Sequence, residues 1–346
     1  MYKSWICTLS QQRPFSPKGD GGPMDETLTR LQIQDLARRW MPPHWDVEAL
    51  RIHTDTTEFF DIAYGDVVLL DGRPYLIRNS AREGRFGLDD EIKHWVKRGI
   101  DLVRGEMCIV KLAFYEKFEA VVGGIRFDCF RSPRKEARIL DLVRDHPHFM
   151  HGHSALDARG NTVRVLEYIA GKTLSDYVAD LKQDHEAYFH ETLPTILGSF
   201  LQCLDAIRFL HEHGEKHGDI RRDHILIDRQ TGHYRWIDFD YNYRHRENIY
   251  GYDLFGLGNV LLYIVGKGDV LLHDLKRRDA ALSACLNEAD CNIVFHNRLA
   301  NLKKVYGYIP EALNRVLLHF SYGAHRYYER VDQLIDDLQS ALAVSA

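Results

Sequence analysis

One run of the sequence, residues 211–241, carries the side chains best suited to phosphoryl transfer. Asp219 lies in its first polar loop and Asp238 in its second. Between the loops, two apolar runs (225–228 and 234–237) joined by a Thr-Gly turn predict a hairpin. The hairpin would bring the two aspartates together. We therefore expect one carboxylate to orient an acceptor hydroxyl while the other holds a metal-bound phosphate.

The order and spacing of these loops resemble the catalytic and metal-binding loops of the protein-kinase-like superfamily, whose patterns are H-R-D-L-x-x-x-N and D-F-G. In this chain the two loops read HGDIRRDH and DFD. The resemblance implies that Asp219 is the catalytic base and that His217 is the histidine of the same loop. It also implies that Arg221 meets the γ-phosphate of ATP and that Asp238 holds Mg²⁺ between the β- and γ-phosphates.

Three positions depart from that pattern. Gly218 replaces an arginine, as in aminoglycoside-type phosphotransferases, while His224 and Asp240 replace an asparagine and a glycine, which is similar to lipopolysaccharide-core sugar kinases. The imidazole of His224 would favour Mn²⁺, because Mg²⁺ prefers oxygen ligands. Alternatively, His224 hydrogen-bonds the loop backbone while Asp238 and Asp240 hold the metal. The candidate metal ligands are therefore Asp238, His224 and Asp240.

Residues upstream of these loops resemble the nucleotide-binding half of the superfamily. The segment Gly84-Arg85-Phe86-Gly87 is similar to the rear of a glycine-rich loop, in which backbone amides close over phosphates. Lys111, in an apolar run, matches the lysine that binds the α- and β-phosphates. Ser132-Pro133 predicts a helix start, and we expect Glu136 in its first turn to pair with Lys111. The alternative for Glu136 is a solvated acid at the helix start.

The hinge between the two lobes is expected at residues 166–169. The resemblance implies that adenine takes backbone hydrogen bonds there from Glu167 and Ile169. Asp253, which begins an apolar helix, resembles the aspartate that supports the backbone of the catalytic loop. Four histidines between positions 146 and 153 could form a metal cluster, but their HPHFM context resembles a connecting loop of kinases, which we favour.

Together these motifs predict an α+β, bilobal protein-kinase-like fold with a small β-rich N-lobe and a larger helical C-lobe. An Asp-Gly pair at positions 71 and 72 predicts a hairpin turn, preceded by a strand over residues 61–70. The predicted divisions are a disordered leader (1–23), an N-terminal extension of a helix plus a hairpin (24–73), the N-lobe (74–169) and the C-lobe (170–346).

The composition describes a globular protein with no unusual charge. Of the 346 residues, 45% are hydrophobic and 27% are charged, and the formal net charge is -5. This balance argues against a nucleic-acid partner. The longest apolar run, residues 254–265, is too short to span a bilayer, so we expect no transmembrane segment. Six cysteines without a C-x-x-C pair favour the reducing cytoplasm.

Three functions remain open at this stage. Asp253 follows Asp238 by fifteen positions, which leaves no room for the long activation segment and Ala-Pro-Glu motif of protein kinases. We favour an ATP-dependent kinase that acts on protein Ser or Thr, because the motifs of both lobes are present. The second candidate is a small-molecule or glycan kinase, which the HGD and DFD motifs favour. The third is a pseudokinase that binds nucleotide without transferring phosphate.

Overall fold

Three β-sheets and ten α-helices make up the part of the chain that the structure describes. It is a computed structural model covering residues 28–83, 91–122, 124–245 and 248–343. The strands are β1 (Ile52–His53), β2 (Val67–Leu70), β3 (Arg73–Glu83), β4 (Glu91–Asp101), β5 (Glu106–Lys111), β6 (Lys117–Val122), β7 (Ile125–Arg131), β8 (Gly152–Leu156), β9 (Thr162–Glu167), β10 (Gly171–Thr173), β11 (Ile225–Asp228), β12 (Tyr234–Trp236) and β13 (Tyr241–Arg244). The helices are α1 (Arg30–Arg38), α2 (Pro133–Leu142), α3 (Leu174–Asp180), α4 (His185–Ala187), α5 (Leu193–Glu212), α6 (Gly251–Val265), α7 (Leu272–Arg278), α8 (Ala280–Ala284), α9 (Glu311–Leu318) and α10 (Val331–Ala343).

The largest sheet has seven strands in the order β1-β2-β3-β4-β5-β9-β8. The predicted turn between β2 and β3 is confirmed, because Asp71 and Gly72 have φ values of 45° and 77°, as a tight hairpin turn requires. The strand expected over residues 61–70 is shorter than predicted. Its first residues belong to a 3₁₀ turn (Phe59–Asp61) and a loop, and β2 begins only at Val67.

The N-terminal extension packs directly on this sheet. Helix α1 begins with a capping box in which Thr29 and Gln32 exchange hydrogen bonds. Its buried face places Ile33 and Ala37 in one core with Leu76 of β3 and Ile100 of β4. The extension and the β-rich lobe therefore share a hydrophobic core.

The helical part is built around α5 and α6. Helix α5 has an apolar stripe that faces the core, since Ile196, Phe200, Leu204 and Ile207 are all buried. One helical stretch, His185–Glu212, has the length and apolar composition of a membrane span, and half of its apolar window is buried inside the fold. A buried stripe of this kind is typical of a core helix.

A three-stranded sheet, in the order β13-β7-β6, was not predicted. Its hairpin, β6 and β7, lies in the sequence between the Lys111 strand β5 and helix α2, and we call it the inserted hairpin. Strand β13 follows the DFD motif and pairs with β7 along its whole length, from Tyr241 opposite Arg131 to Arg244 opposite Asp128. The chain after the metal-binding loop is thus the third strand of this sheet.

Candidate active site

Lys111 and Glu136 form the predicted ion pair. Ser132 caps α2 through the backbone amide of Lys135, and Pro133 occupies the first helical position, as expected. This start directs Glu136 toward β5, where its Oε1 lies 2.9 Å from Lys111 Nζ. Glu136 is fully buried, so the alternative of a solvated acid is wrong.

The Lys111 ammonium lies among three carboxylates. Besides Glu136, it contacts Asp238 through a short hydrogen bond and Asp240 Oδ2 at 3.1 Å. Burial alone would lower the pKa of Lys111, but the carboxylates of Asp238, Asp240 and Glu136 outweigh it and raise that pKa. These three acids are also the group in the described residues that is compact enough to bind a metal ion. These three carboxylates lie close together because each of them contacts the ammonium group of Lys111.

Asp240 is held by a second cation, Arg131, at the end of the inserted hairpin. Asp240 Oδ2 accepts a short hydrogen bond from Arg131, whose guanidinium also donates to Tyr241 Oη at 2.6 Å. The other oxygen, Oδ1, is buried and has no hydrogen-bond partner among the described residues. One oxygen of Asp240 therefore acts as a counter-ion, and the metal-binding role of the residue stays a prediction.

Two further cations in this cluster were missed by sequence reasoning. Lys93 of β4 places its Nζ 3.2 Å from Asp238 Oδ2. Arg164 of β9 is fully buried and its Nε donates to Glu136 Oε2 at 2.8 Å. Arg164 lies between Val163 and Val165, and a charged residue within such an apolar run is the sequence signal that could have indicated a buried charge. Burial opposes the shift, but Lys111 and Lys93 hold the pKa of Asp238 well below its usual range.

His224 bridges the two aspartates of the predicted catalytic centre. Its Nδ1 donates to the backbone carbonyl of Asp219 at 2.8 Å, and its Nε2 lies 3.6 Å from Asp238 Oδ2. A neutral imidazole that donates through Nδ1 carries its lone pair on Nε2. The predicted hydrogen bond to the loop is present, and Nε2 is the ring nitrogen beside Asp238. A neutral imidazole could therefore keep this hydrogen bond and offer Nε2 to a metal that Asp238 holds.

Asp219 and Arg221 lie in the catalytic loop as predicted. The Asp219 carboxylate lies 3.6 Å from His224 Nδ1, and burial raises its pKa, partly offset by His224 and Arg221. Arg221 is paired with Asp223, with Nε to Oδ1 at 3.0 Å. In this structure the guanidinium is therefore bound to Asp223, and its contact with a γ-phosphate stays a prediction.

Asp253 supports the catalytic loop in the structural role expected for it. Its two oxygens accept the backbone amides of His217 and Gly218, each at 2.8 Å, and His211 Nε2 lies 3.0 Å from Oδ2. The His217 ring is fully buried, and burial lowers its pKa to about 3. His217 therefore remains neutral and supports the loop from inside the protein.

Lys135 connects helix α2 to the catalytic loop and the metal-binding loop through hydrogen bonds. Its ammonium is fully buried and donates to three backbone carbonyls: His217 at 2.7 Å, Phe239 at 2.7 Å and Tyr241 at 2.6 Å. Burial lowers its pKa to about 8 despite the opposing charges of Asp253 and Asp240. Glu136 follows Lys135 in the sequence. One helical turn therefore binds Lys111 through Glu136 and the backbone of the two acidic loops through Lys135.

The predicted hinge residues have different surroundings. The backbone amide of Glu167 donates to His151 O at 3.0 Å, and its carboxylate pairs with Arg235 through a short contact. Ile169 is partly buried against the core of the helical lobe. Their proposed contacts with adenine stay predictions. Gly84 and Gly87 lie outside the described residues, as does the leader at 1–23.

The histidines after α2 hydrogen-bond backbone carbonyls. His148 Nδ1 lies 2.9 Å from Tyr234 O, and His151 Nε2 lies 2.9 Å from His146 O. Within the described ranges, the cluster compact enough to bind a metal ion consists of the carboxylates of Glu136, Asp238 and Asp240 and contains no histidine. The connecting-loop interpretation therefore fits this segment better than a metal cluster.

A divalent metal could be held by Asp238 together with His224 Nε2. A carboxylate and a neutral imidazole form a mixed oxygen and nitrogen donor set, which Mn²⁺ accepts and Mg²⁺ accepts less readily. The strained backbone of Asp238, with a φ of 65°, fits a functional position, since such conformations concentrate at active sites.

Comparisons with known proteins point to one family. Residues 96–250 match the sequence model described as "Protein kinase domain", just under half of the chain. Serine/threonine-protein kinase 17A of Oryctolagus cuniculus is 30% identical over 32% of this chain and 28% of its own length. CBL-interacting protein kinase 1 of Oryza sativa subsp. japonica is 28% identical over 48% of this chain and 31% of its own length. The chain thus spans about a third or less of these relatives.

Solved structures similar to this chain include the kinase domain of Mycobacterium tuberculosis PknI. One mutant form has a TM-score of 0.49 at 13% identity, covering 81% of this chain and 98% of that domain. The domain without those substitutions gives a TM-score of 0.45 at 12% identity, with 81% and 99% covered. The matched segment contains Lys111, Glu136, Asp219 and Asp238, and the structure brings these residues to one site between a β-rich and a helical lobe. Residues 96–250 of this chain are therefore similar to protein kinase domains, and the described residues form an α+β fold with a β-rich lobe and a helical lobe.

Proposed function

We propose that this protein is an ATP-dependent phosphotransferase that moves the γ-phosphoryl group to a hydroxyl acceptor. The observation that supports this best is the position of His224 between two carboxylates, with its ring 3.6 Å from both Asp219 Oδ2 and Asp238 Oδ2. A base and a metal-binding acid at one loop junction suit in-line phosphoryl transfer. The assembled Lys111 and Glu136 pair adds the group that would bind the α- and β-phosphates.

Each residue has a distinct role in this proposal. Asp219 accepts the proton of the acceptor hydroxyl as that oxygen attacks the γ-phosphorus. Lys111 orients the nucleotide, and Asp238 and His224 hold the cation. When bound, Mg²⁺ or Mn²⁺ supplies the positive charge that offsets the β- and γ-phosphates. The retained base and the ordered Lys111 cluster favour an enzyme over a pseudokinase, since binding alone needs no base.

The two remaining alternatives differ in the acceptor, which is either a protein Ser or Thr or a small molecule. The names of the curated relatives favour protein Ser or Thr, which the motifs also favoured. The cleft beside Asp219 favours a small-molecule acceptor. We propose the cytoplasm as the compartment, because it supplies ATP and keeps thiols such as the buried Cys108 and Cys203 reduced.

The test compares wild type with Asp219→Asn. Nucleotide affinity, measured by calorimetry with ATP and Mg²⁺ or Mn²⁺, should be nearly equal in the two proteins. Release or transfer of the γ-phosphate should fall roughly 100- to 10,000-fold in the variant, because general-base catalysis contributes a factor of that order. Equal turnover in both proteins would refute the assignment of the base, and nucleotide binding without any wild-type turnover would establish a pseudokinase.

A further inference from the structure

A cleft opens beside the catalytic loop, and its lining includes Asp219 but not Lys111. It encloses about 1070 Å³, at the upper end of the size range of small-molecule sites. Its walls come from the inserted hairpin, the catalytic loop, α3, α6 and the segment at 294–298. The lining residues that matter below are Phe118, Asp219, Arg222, Tyr252, Tyr263 and Arg298.

The inserted hairpin forms one wall of this cleft. Phe118 of β6 lines it and is 42% exposed, so one aromatic side chain faces the open space. The hairpin is anchored at its base, where Arg131 binds Asp240 and Tyr241 Oη donates a hydrogen bond to Glu116. A rigid wall is therefore attached to the metal-binding loop itself.

Polar groups at the opposite side are fixed in place by one another. Arg222 and Arg298 both pair with Asp269, at 2.8 and 3.1 Å. Each guanidinium also stacks on an aromatic ring, Arg222 on Tyr263 and Arg298 on Phe295, both at 4.0 Å. Planar donors held this way present remaining N–H groups to a ligand with little loss of side-chain entropy.

The charged lining carries five acids and three arginines. The acids are Glu116, Asp176, Asp219, Asp223 and Asp269, and the arginines are Arg221, Arg222 and Arg298. This excess of negative charge disfavours an anionic acceptor. Carboxylates and guanidinium groups together can accept from and donate to hydroxyls, while aromatic faces cover the apolar C–H face of a sugar ring. The lining therefore suits an uncharged molecule with many hydroxyls.

A peptide has no backbone edge to bind on β13. One edge of that strand pairs with β7. The carbonyls of Tyr241 and Tyr243 point to the other side, and Lys135 Nζ and Lys216 Nζ bind them at 2.6 and 3.0 Å. Addition of an extended peptide to this edge of β13 is thereby blocked.

We propose that the acceptor is a neutral carbohydrate or cyclitol bound in this cleft against the inserted hairpin. The inference rests on the proposed phosphotransferase activity. The acceptor O–H gives its proton to Asp219, its oxygen forms a bond to the γ-phosphorus, and the bond from that phosphorus to the β–γ bridging oxygen breaks. ADP leaves with the electron pair, and the product is a sugar or cyclitol phosphate monoester.

The activity test uses the full chain with ATP and Mg²⁺ or Mn²⁺. One arm offers neutral monosaccharides, disaccharides and inositol, and the other offers casein and myelin basic protein. We expect ³¹P NMR to show a new phosphate monoester in the sugar arm, and no phosphate on the proteins. Phosphate on the proteins alone would overturn the carbohydrate proposal and leave the phosphotransferase activity intact.

The binding test uses two hairpin variants. Phe118→Ser should raise the acceptor KM about tenfold, because it removes an aromatic face from the cleft. Arg126→Ala is the control, since Arg126 is on the same hairpin but pairs with Glu119 at the surface, and it should leave KM unchanged. Equal KM values in wild type, variant and control would overturn the hairpin's role.

Saturation-transfer NMR with the same sugars separates this inference from the activity. Sugar binding that Phe118→Ser weakens, in a protein without phosphoryl transfer, would refute the proposed function but support the cleft. Absence of sugar binding by the nucleotide-loaded protein would refute the cleft proposal, whatever the activity.

Discussion

Gly218 lies directly against the carbonyl of Tyr241: a Cβ atom at position 218 would be 1.9 Å from Tyr241 O. The backbone of Gly218 also has a φ of 87°, which side chains disfavour. The strand after the metal-binding loop thus passes over the catalytic loop where kinases have an arginine. This contact gives a steric reason for a glycine at position 218.

Gly218→Ala should therefore destabilise the protein and reduce phosphoryl transfer. The left-handed backbone alone costs about 1 kcal/mol, and displacement of β13 should bring the total to about 3 kcal/mol. Gly214→Ala is the matched control, with a φ of 72° but nothing within 4 Å of its added Cβ. Urea unfolding of both variants measures the difference. Equal losses would show that the contact with Tyr241 is unimportant.

Lys111→Met should lower both stability and ATP affinity. The change leaves Glu136, Asp238 and Asp240 close together without their shared cation, which typically costs about 3–5 kcal/mol in a buried site. Glu136→Gln should have a smaller effect, and the double variant should fall short of the sum by about 1–3 kcal/mol, because the two residues interact. Denaturant unfolding provides the free energies.

Lys172→Met is the control for that cycle. Lys172 pairs with Asp180 at 2.6 Å, but both side chains are more than half exposed, and such pairs contribute little. Additive losses for Lys111 and Glu136 would contradict the proposed coupling.

The acid side of the pH profile should report Asp219. Burial raises its pKa above the ordinary value of about 3.9. The base works only when ionised, so kcat should fall as the pH drops through this raised pKa, at a pH higher than for an exposed aspartate. Nucleotide binding, followed over the same range, should change less. A rate that stays constant down to about pH 4 would contradict the role of Asp219 as base.

Metal preference should change with His224. His224 Nε2 lies 3.6 Å from Asp238 Oδ2, where a neutral ring would supply a nitrogen ligand, so wild type should use Mn²⁺ better than Mg²⁺. His224→Asn supplies an amide oxygen instead and should improve the use of Mg²⁺ relative to Mn²⁺. Turnover of both proteins with each metal gives the ratio. An identical ratio in both would restrict His224 to its hydrogen bond with the Asp219 carbonyl.

Local signals in the sequence predicted much of this site. Ser132-Pro133 fixed the start of α2, and from it the position of Glu136 beside Lys111 followed. The hairpin between the two acidic loops was also predicted and is present as β11 and β12. Each of these depends on neighbours within a few residues, where capping and turn preferences act.

Long-range partners could not be predicted in the same way. Lys135, in the first turn of α2, looks like an exposed lysine in sequence, and only the folded chain shows that three loop carbonyls surround it. Likewise, the pairing of β13 with β7 joins strands that are more than a hundred residues apart. Neither the types of these residues nor the hydrophobic periodicity of the sequence indicates such a contact.

Strand β13 also bears on how a cell could control this protein. In a switch, one segment alternates between two positions of similar free energy. Here β13 pairs with β7 along one edge. The carbonyls on its other edge accept hydrogen bonds from the buried Lys135 and the half-buried Lys216. Moving it would break both sets of hydrogen bonds at once. We therefore expect that this segment does not act as a switch between two positions.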